Sequence, residues 1–212
     1  FLLLSGLLEG WSGELLLEGQ LVSSKERSLL RRRIALVLQN SNYQLFTPSV
    51  EDELRYGLRK LGLGESELEQ RLEELLDRYE LRPLRHRAPH ELSEGQRKWL
   101  ALIAVLSTDP EVILLDEPTA ALDAVYTRRV LALLEELRAA GKTLIVSTHD
   151  MELAYQLAEE VILLERGELR THRAASAFWQ DEPLLRQVGL AQPWAFRAAQ
   201  SAPRPAAFGT ER

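Results

Sequence analysis

Two carboxylates stand side by side at the end of an aliphatic run, Val112-Ile113-Leu114-Leu115-Asp116-Glu117-Pro118-Thr119. Such a run reads as a strand buried on both faces in a parallel sheet, which places the acids at its C-terminal edge, where α/β folds bind ligands. One acid there can serve a Mg²⁺ ion, which takes oxygen ligands and keeps several waters. Its neighbour, turned to the other side of the strand, can polarise an attacking water. Two acids after a strand can equally cap a helix. Leu92-Ser93-Glu94-Gly95-Gln96 offers a second kind of chemistry. Ser93 suits a helix N-cap, Gly95 lets an anion approach the backbone, and the free amides of a helix start attract phosphate. The Ser-x-x-Gln spacing is also that of an ordinary capping box. Ile145-Val146-Ser147-Thr148-His149-Asp150 reads as a strand that delivers His149 to the same sheet edge, although a single His after a strand is more often a surface or capping residue. Gln39 ends the aliphatic stretch Ile34 to Leu38 and taken alone points to nothing.

These residues need elements to hold them. Phe1 to Leu8 reads as a short apolar helix ended by Gly10, and Glu14 to Leu17 as a strand. Ile34 to Leu38 is a second strand. From about Val50 to Leu84, Glu and Leu alternate at spacings of three and four, the mark of amphipathic helices, with Pro83 and Pro89 as breaks. Ser93 opens a helix that runs to Leu106, and Pro110 stops it. Val112 to Leu115 is a strand, Val125 to Ala140 a helix closed by Gly141, and Thr143 to Ser147 a strand. Met151 to Glu160 is a helix and Val161 to Leu164 a strand. The βαβαβ alternation predicts a parallel sheet with helices on its faces. From about Gln192 the Ala- and Pro-rich sequence reads as a mobile tail.

At 212 residues the chain can bury one sizeable core. A net charge of −6 argues against nucleic acid as the main partner, because phosphate backbones need a basic surface. The absence of cysteine excludes disulfide and thiolate chemistry. No stretch approaches the roughly 20 apolar residues of a membrane-spanning helix. Phe1 to Leu8 has the apolarity of a signal-peptide core but neither a starting Met, a basic segment nor a cleavage site. The expectation is a chain that begins inside a longer protein.

Taken in order, Gln39, Ser93-Glu94-Gly95-Gln96, Asp116-Glu117, Ala121-Leu122-Asp123 and His149 resemble the Q-loop, signature, Walker B, D-loop and H-loop of ATP-binding-cassette (ABC) ATPases. The resemblance covers about residues 1 to 170. It implies a P-loop NTPase (RecA-like) α/β fold, a parallel-sheet core with an inserted α-helical subdomain, here about residues 40–92 within a single 1–190 domain, followed by a 191–212 tail. It implies ATP and Mg²⁺ as cofactors, Glu117 as the base that orients the hydrolytic water, and Asp116 as the acid that holds Mg²⁺. His149 then contacts the γ-phosphate, and Gln39 senses Mg²⁺ and couples to a membrane partner. Ser93, Glu94, Gly95 and Gln96 face ATP held by a second ABC ATPase subunit, and Asp123 lies at that dimer interface. A narrower likeness comes from Gln39-Asn40, Gln44-Leu45-Phe46 and Val50-Glu51-Asp52, which is similar to energy-coupling-factor and cobalt-type importer ATPases. Those subunits drive uptake of vitamins or transition metal ions from the cytoplasmic face of the cell membrane, bound to an integral membrane subunit. The Leu45-Phe46 pair then either docks a helix of that subunit or staples the helical subdomain.

The chain departs from the family in three places. No Gly-x-x-x-x-Gly-Lys-[Ser/Thr] occurs, so the first strands and phosphate loop are missing, and the 212 residues alone are expected to bind ATP weakly and hydrolyse none. A lost internal strand is also expected to uncover strand edges. Glu94 replaces the signature's usual second Gly and adds negative charge. Trp99 stands where the family often has Arg, so a polar contact is not expected there. Short spacing from Gln39 to Ser93 and a single cassette favour transport over the alternative of a soluble ABC-type ATPase of DNA repair or translation. A further alternative is a non-catalytic cassette that lends its signature to an intact subunit.

Overall fold

The computed structural model describes residues 1–9, 12–23 and 27–201. The chain divides into two compact units, Phe1–Ser147 and Thr148–Arg212.

In the first unit, β1 (Leu16–Leu17) and β2 (Gln20–Leu21) form a small antiparallel pair, and α1 (Arg27–Arg33) leads directly into β3 (Ile34–Val37). Then come α2 (Val50–Arg59), α3 (Glu65–Arg78), α4 (Glu94–Leu106), β4 (Val112–Asp116), α5 (Ala124–Ala139) and β5 (Thr143–Ser147). The sheet order is β3-β4-β5, parallel throughout, with Val37 beside Leu115 and Asp116 beside Ser147. Ile113, Leu114 and Leu115 are fully buried, as an apolar run without alternation requires. Among the described residues β5 is an edge strand, and its Leu144, Ile145 and Val146 are only half-buried. At the opposite edge the side chain of Gln44 stands in for a strand. Its Oε1 accepts from the Leu38 amide (3.1 Å), and its Nε2 donates to the Leu36 carbonyl (3.4 Å).

The helical insertion is built on a four-residue spacing of aliphatic residues. Val50, Leu54 and Leu58 of α2 and Leu68, Leu72 and Leu76 of α3 are buried at i, i+4, i+8. Ser49 caps α2 by accepting from the Asp52 amide (3.1 Å). An ion-pair network ties its ends. Arg85 grips both carboxylate oxygens of Glu51 (2.6 and 3.1 Å), Arg55 adds a third contact (2.7 Å), and these guanidiniums also reach Glu73 and Glu69 of α3. The Arg85 and Arg55 hydrogen bonds hold the Glu51 carboxyl down at about 2 from 4.5. A depressed folded-state value contributes stability that is present above about pH 4.5 and is lost as pH falls toward 2. Glu51→Gln is therefore expected to cost about 1–2 kcal/mol at pH 7 by urea unfolding and to flatten that acid limb. An unchanged acid limb would remove Glu51 as its source.

Phe1–Leu8 is not the predicted helix. It forms one helical turn, Ser5 N–H to Phe1 O, closed by Leu7 N–H to Leu2 O and Gly6 N–H to Leu3 O. This is a Schellman closure, and Gly6 supplies the φ of +72° that it needs. Gly10, the predicted terminator, lies outside the described residues.

The second unit contains α6 (Met151–Leu157), β6 (Glu160–Glu165), β7 (Glu168–Ala174), α7 (Ala175–Gln180), α8 (Glu182–Gln187) and α9 (Trp194–Ser201). Here the βαβαβ expectation is corrected. β6 pairs antiparallel with β7, because Arg166 and Gly167 (φ +51° and +83°) make the two-residue primed turn that joins hairpin strands. Part of the predicted 191–212 tail is also ordered. Residues 194–201 are α9, held by Phe196 in a core with Phe178, Trp179 and Leu185, while 202–212 lie outside the described residues. Among the described residues no helix is long and apolar enough to cross a membrane.

Candidate functional site

β3 and β4 run parallel and in register, so the residues just beyond their last paired positions lie at one rim of the sheet. Gln39 comes two residues after Val37, and Glu117 two after Leu115, the partner of Val37. Gln39 is exposed there, and Asp116 and Glu117 are partly buried. Asp116 is held by the Ser147 hydroxyl, which donates to its Oδ1 (2.6 Å). Glu117 leaves the strand at φ +47°, strained for a residue with a β-carbon, and its amide donates to the Ser147 carbonyl (2.9 Å). The two acids are thereby sent in different directions from the end of one strand, each with its backbone or side chain fixed by β5.

The rim continues through Pro118 to Ala121, a second residue at positive φ (+60°), and into α5. Asp123 caps that helix by accepting from the Val125 and Tyr126 amides, both at 2.9 Å. Ser93 and Gln96 form the capping box that their spacing predicts, Gln96 N–H to Ser93 Oγ (3.2 Å) and Ser93 N–H to Gln96 Oε1 (2.9 Å). Gly95 has a packing reason as well. A β-carbon there would fall 2.6 Å from Tyr126 Cδ2, so any larger residue at the start of α4 would have to displace the Tyr126 ring of α5.

Lys98 belongs to none of the motifs that the sequence displays. It is 5% exposed, one turn into α4, and its ammonium donates to the carbonyls of Glu117 and Ala120, both at 2.8 Å. Burial pushes it below the ordinary lysine range, against the pull of Glu94, Glu117 and Asp116. Glu94 thus faces a cation on its own helix. The one signal in the sequence is a lysine set directly before the buried stretch Trp99 to Ile103. Trp99 also corrects an expectation, because its indole N–H donates to the Tyr79 carbonyl (3.0 Å). His149 falls in the second unit, exposed, two residues after Ser147 closes β5.

Beside Gln39, Tyr43 and Phe46 are 82% and 67% exposed, and Phe46 meets Tyr56 edge-on at 4.9 Å. The backbone there is set by the buried Glu53, which accepts from the Phe46 and Thr47 amides (3.2 and 3.1 Å) and the Thr47 hydroxyl (2.7 Å). A shallow cavity of about 260 Å³ opens between Leu45, Phe46, Pro89 and Arg97.

Among the described residues no group of three or more His, Asp or Glu is arranged to hold a metal ion. A single carboxylate with waters and phosphate oxygens is the way Mg²⁺ is usually bound, and Asp116, oriented by Ser147, fits that donor set.

The ABC transporter profile matches residues 1–120. The chain is 42% identical over 208 residues to the cobalt import ATP-binding protein CbiO of Rhodobacter capsulatus, covering 97% of this chain and 74% of that protein. It is 36% identical over 195 residues to the energy-coupling factor transporter ATP-binding protein EcfA of Methanothermobacter thermautotrophicus, covering 91% of this chain and 63% of that one. Among solved structures it superposes on cbiO1 of Clostridium perfringens, part of the cbiONQ transporter complex, with a TM-score of 0.74 at 29% identity over 94% of this chain and 80% of that one. A dimeric ATP-binding cassette with ADP and Pi gives 0.70 at 27% identity, over 82% and 78%. A parallel sheet with acids at its C-terminal rim, a capped helix start packed against α5 and these likenesses lead to one conclusion: the chain belongs to the ABC transporter family of ATP-binding subunits, which are ATPases.

Proposed function

We propose that the chain is the ATP-hydrolysing part of an energy-coupling-factor-type importer for a vitamin or a transition metal ion. The observation that carries this reading is the rim formed by Gln39, Asp116 and Glu117, in a chain with CbiO and EcfA among its relatives. Mg²⁺-ATP, when bound, supplies a γ-phosphoryl group open to in-line attack by water. Asp116, its carboxylate oriented by the Ser147 hydroxyl, would hold the Mg²⁺ ion. Glu117 takes the proton of the attacking water, and His149 contacts the γ-phosphate. Gln39 would sense the bound ion and couple it to the membrane partner, beside the Leu45-Phe46 surface. Ser93, Glu94, Gly95 and Gln96, with Asp123, face the nucleotide of a second ABC ATPase subunit. By itself the 212-residue chain binds ATP weakly, because no Gly-x-x-x-x-Gly-Lys-[Ser/Thr] loop is among its residues.

The partner on the other side is an integral membrane subunit, and the protein sits peripherally on the cytoplasmic face of the membrane. The exposed Tyr43-Phe46-Tyr56 patch and the cavity beside it support docking of an apolar helix face there. Phe46→Ser is expected to reduce co-purification of the membrane subunit about tenfold or more while moving chain stability by no more than about 0.5 kcal/mol. Undiminished co-purification would place the docking surface elsewhere.

A further inference from the structure

We infer that Lys98 is a positioning residue that fixes the turn carrying Glu117 and locks it to the first turns of α4. The turn from Glu117 to Ala121 begins and ends at non-glycine residues with positive φ, +47° and +60°. Conformations of this kind are strained for residues with a β-carbon and persist only where the surroundings impose them. Within the turn, Ala120 N–H to Glu117 O and Leu122 N–H to Thr119 O are both long, at 3.2 Å. The Lys98 ammonium reaches across from α4 and binds both of the turn's inward carbonyls, Glu117 and Ala120, at 2.8 Å. It is an ion-to-dipole clamp in a buried setting, where such bonds gain strength. Gly95 against Tyr126, one turn earlier, makes a second contact between the same elements. The direction of the Glu117 carboxylate and the seat of the Ser93–Gln96 helix start are therefore set together.

Hydrogen–deuterium exchange on the 212-residue chain tests the clamp without any need for turnover. In Lys98→Met, which keeps the length and removes the donors, amides of 117–122 are expected to exchange about tenfold faster while β4 and the rest of α4 keep their protection. Lys98→Gln, with two donors on a shorter arm, is expected to fall between. Unchanged protection in 117–122 overturns the inference, as does a uniform loss across α4 and β4. If Lys98→Met does not fold, Lys98→Gln decides by the same criteria, and failure of both to fold makes Lys98 a general stability element and overturns it as well. The inference rests on Glu117 being the water-polarising acid. In a fusion that carries a phosphate loop ahead of Phe1, Lys98→Met is then expected to lower kcat about tenfold with KM within about threefold, and Lys98→Gln to recover part of it. Local loosening together with turnover indifferent to Glu117 would sink that assignment and leave the clamp standing.

Discussion

Purified as its 212 residues, the chain is expected to release no phosphate from ATP above the uncatalysed background. The same chain fused behind a strand and a Gly-x-x-x-x-Gly-Lys-[Ser/Thr] loop is expected to turn ATP over. Glu117→Gln is expected to cut that rate by about 10²–10⁴-fold, the usual contribution of a positioned base. The substitution keeps the side chain's size, and the Glu117 backbone bonds to Ser147 and Lys98 do not involve the carboxylate. Circular dichroism and the urea midpoint check that the fold is retained. Phosphate release by the unfused chain that disappears in Glu117→Gln would overturn the weak-binding expectation. Undiminished turnover in the fused Glu117→Gln would overturn the role given to Glu117.

The second large effect concerns the strand that presents those acids. Leu114 is fully buried on β4 and packs with Val22, Leu30 and Ile34. Leu114→Ala should cost about 2–5 kcal/mol, a transfer loss plus a cavity that a three-stranded sheet packed on both faces cannot collapse around. Against a typical domain stability of about 5–15 kcal/mol, this lowers the urea midpoint sharply, and Leu114→Ile should cost less than about 1.5 kcal/mol. A midpoint shift equivalent to less than about 1 kcal/mol would show that β4 is not the mechanical centre of the unit.

Where a residue's environment is encoded by its neighbours in the chain, the sequence is easy to read. Val112 to Leu115 can only be a doubly buried strand, and Ser93 and Gln96 announce their own capping box. The leucine spacing of α2 and α3 and the Gly141 stop after α5 are equally local. The features that escape depend on contacts across the fold. An Arg-Gly pair is a weak turn signal, so the aliphatic run of β6 reads as one more parallel strand when it is half of a hairpin with β7. The helices α7 to α9 are too short, at six to eight residues, for their period to show, and they exist because Phe178, Trp179 and Phe196 share one core. Lys98 belongs to no motif, and its role emerges only once the turn beneath it is seen to point two carbonyls at it. The rim itself is legible for Gln39, Asp116 and Glu117, because strand register follows from parallel pairing.

The Gln44 amide, lying along β3, has a bearing on self-association. A foreign strand approaching that margin finds the Leu36 acceptor and the Leu38 donor already engaged by a side chain that mimics a neighbour's backbone. Recruitment of further strands is thereby made asymmetric: among the described residues one glutamine occupies Leu36 and Leu38 on the margin of β3, whereas β5 is the sheet's other edge.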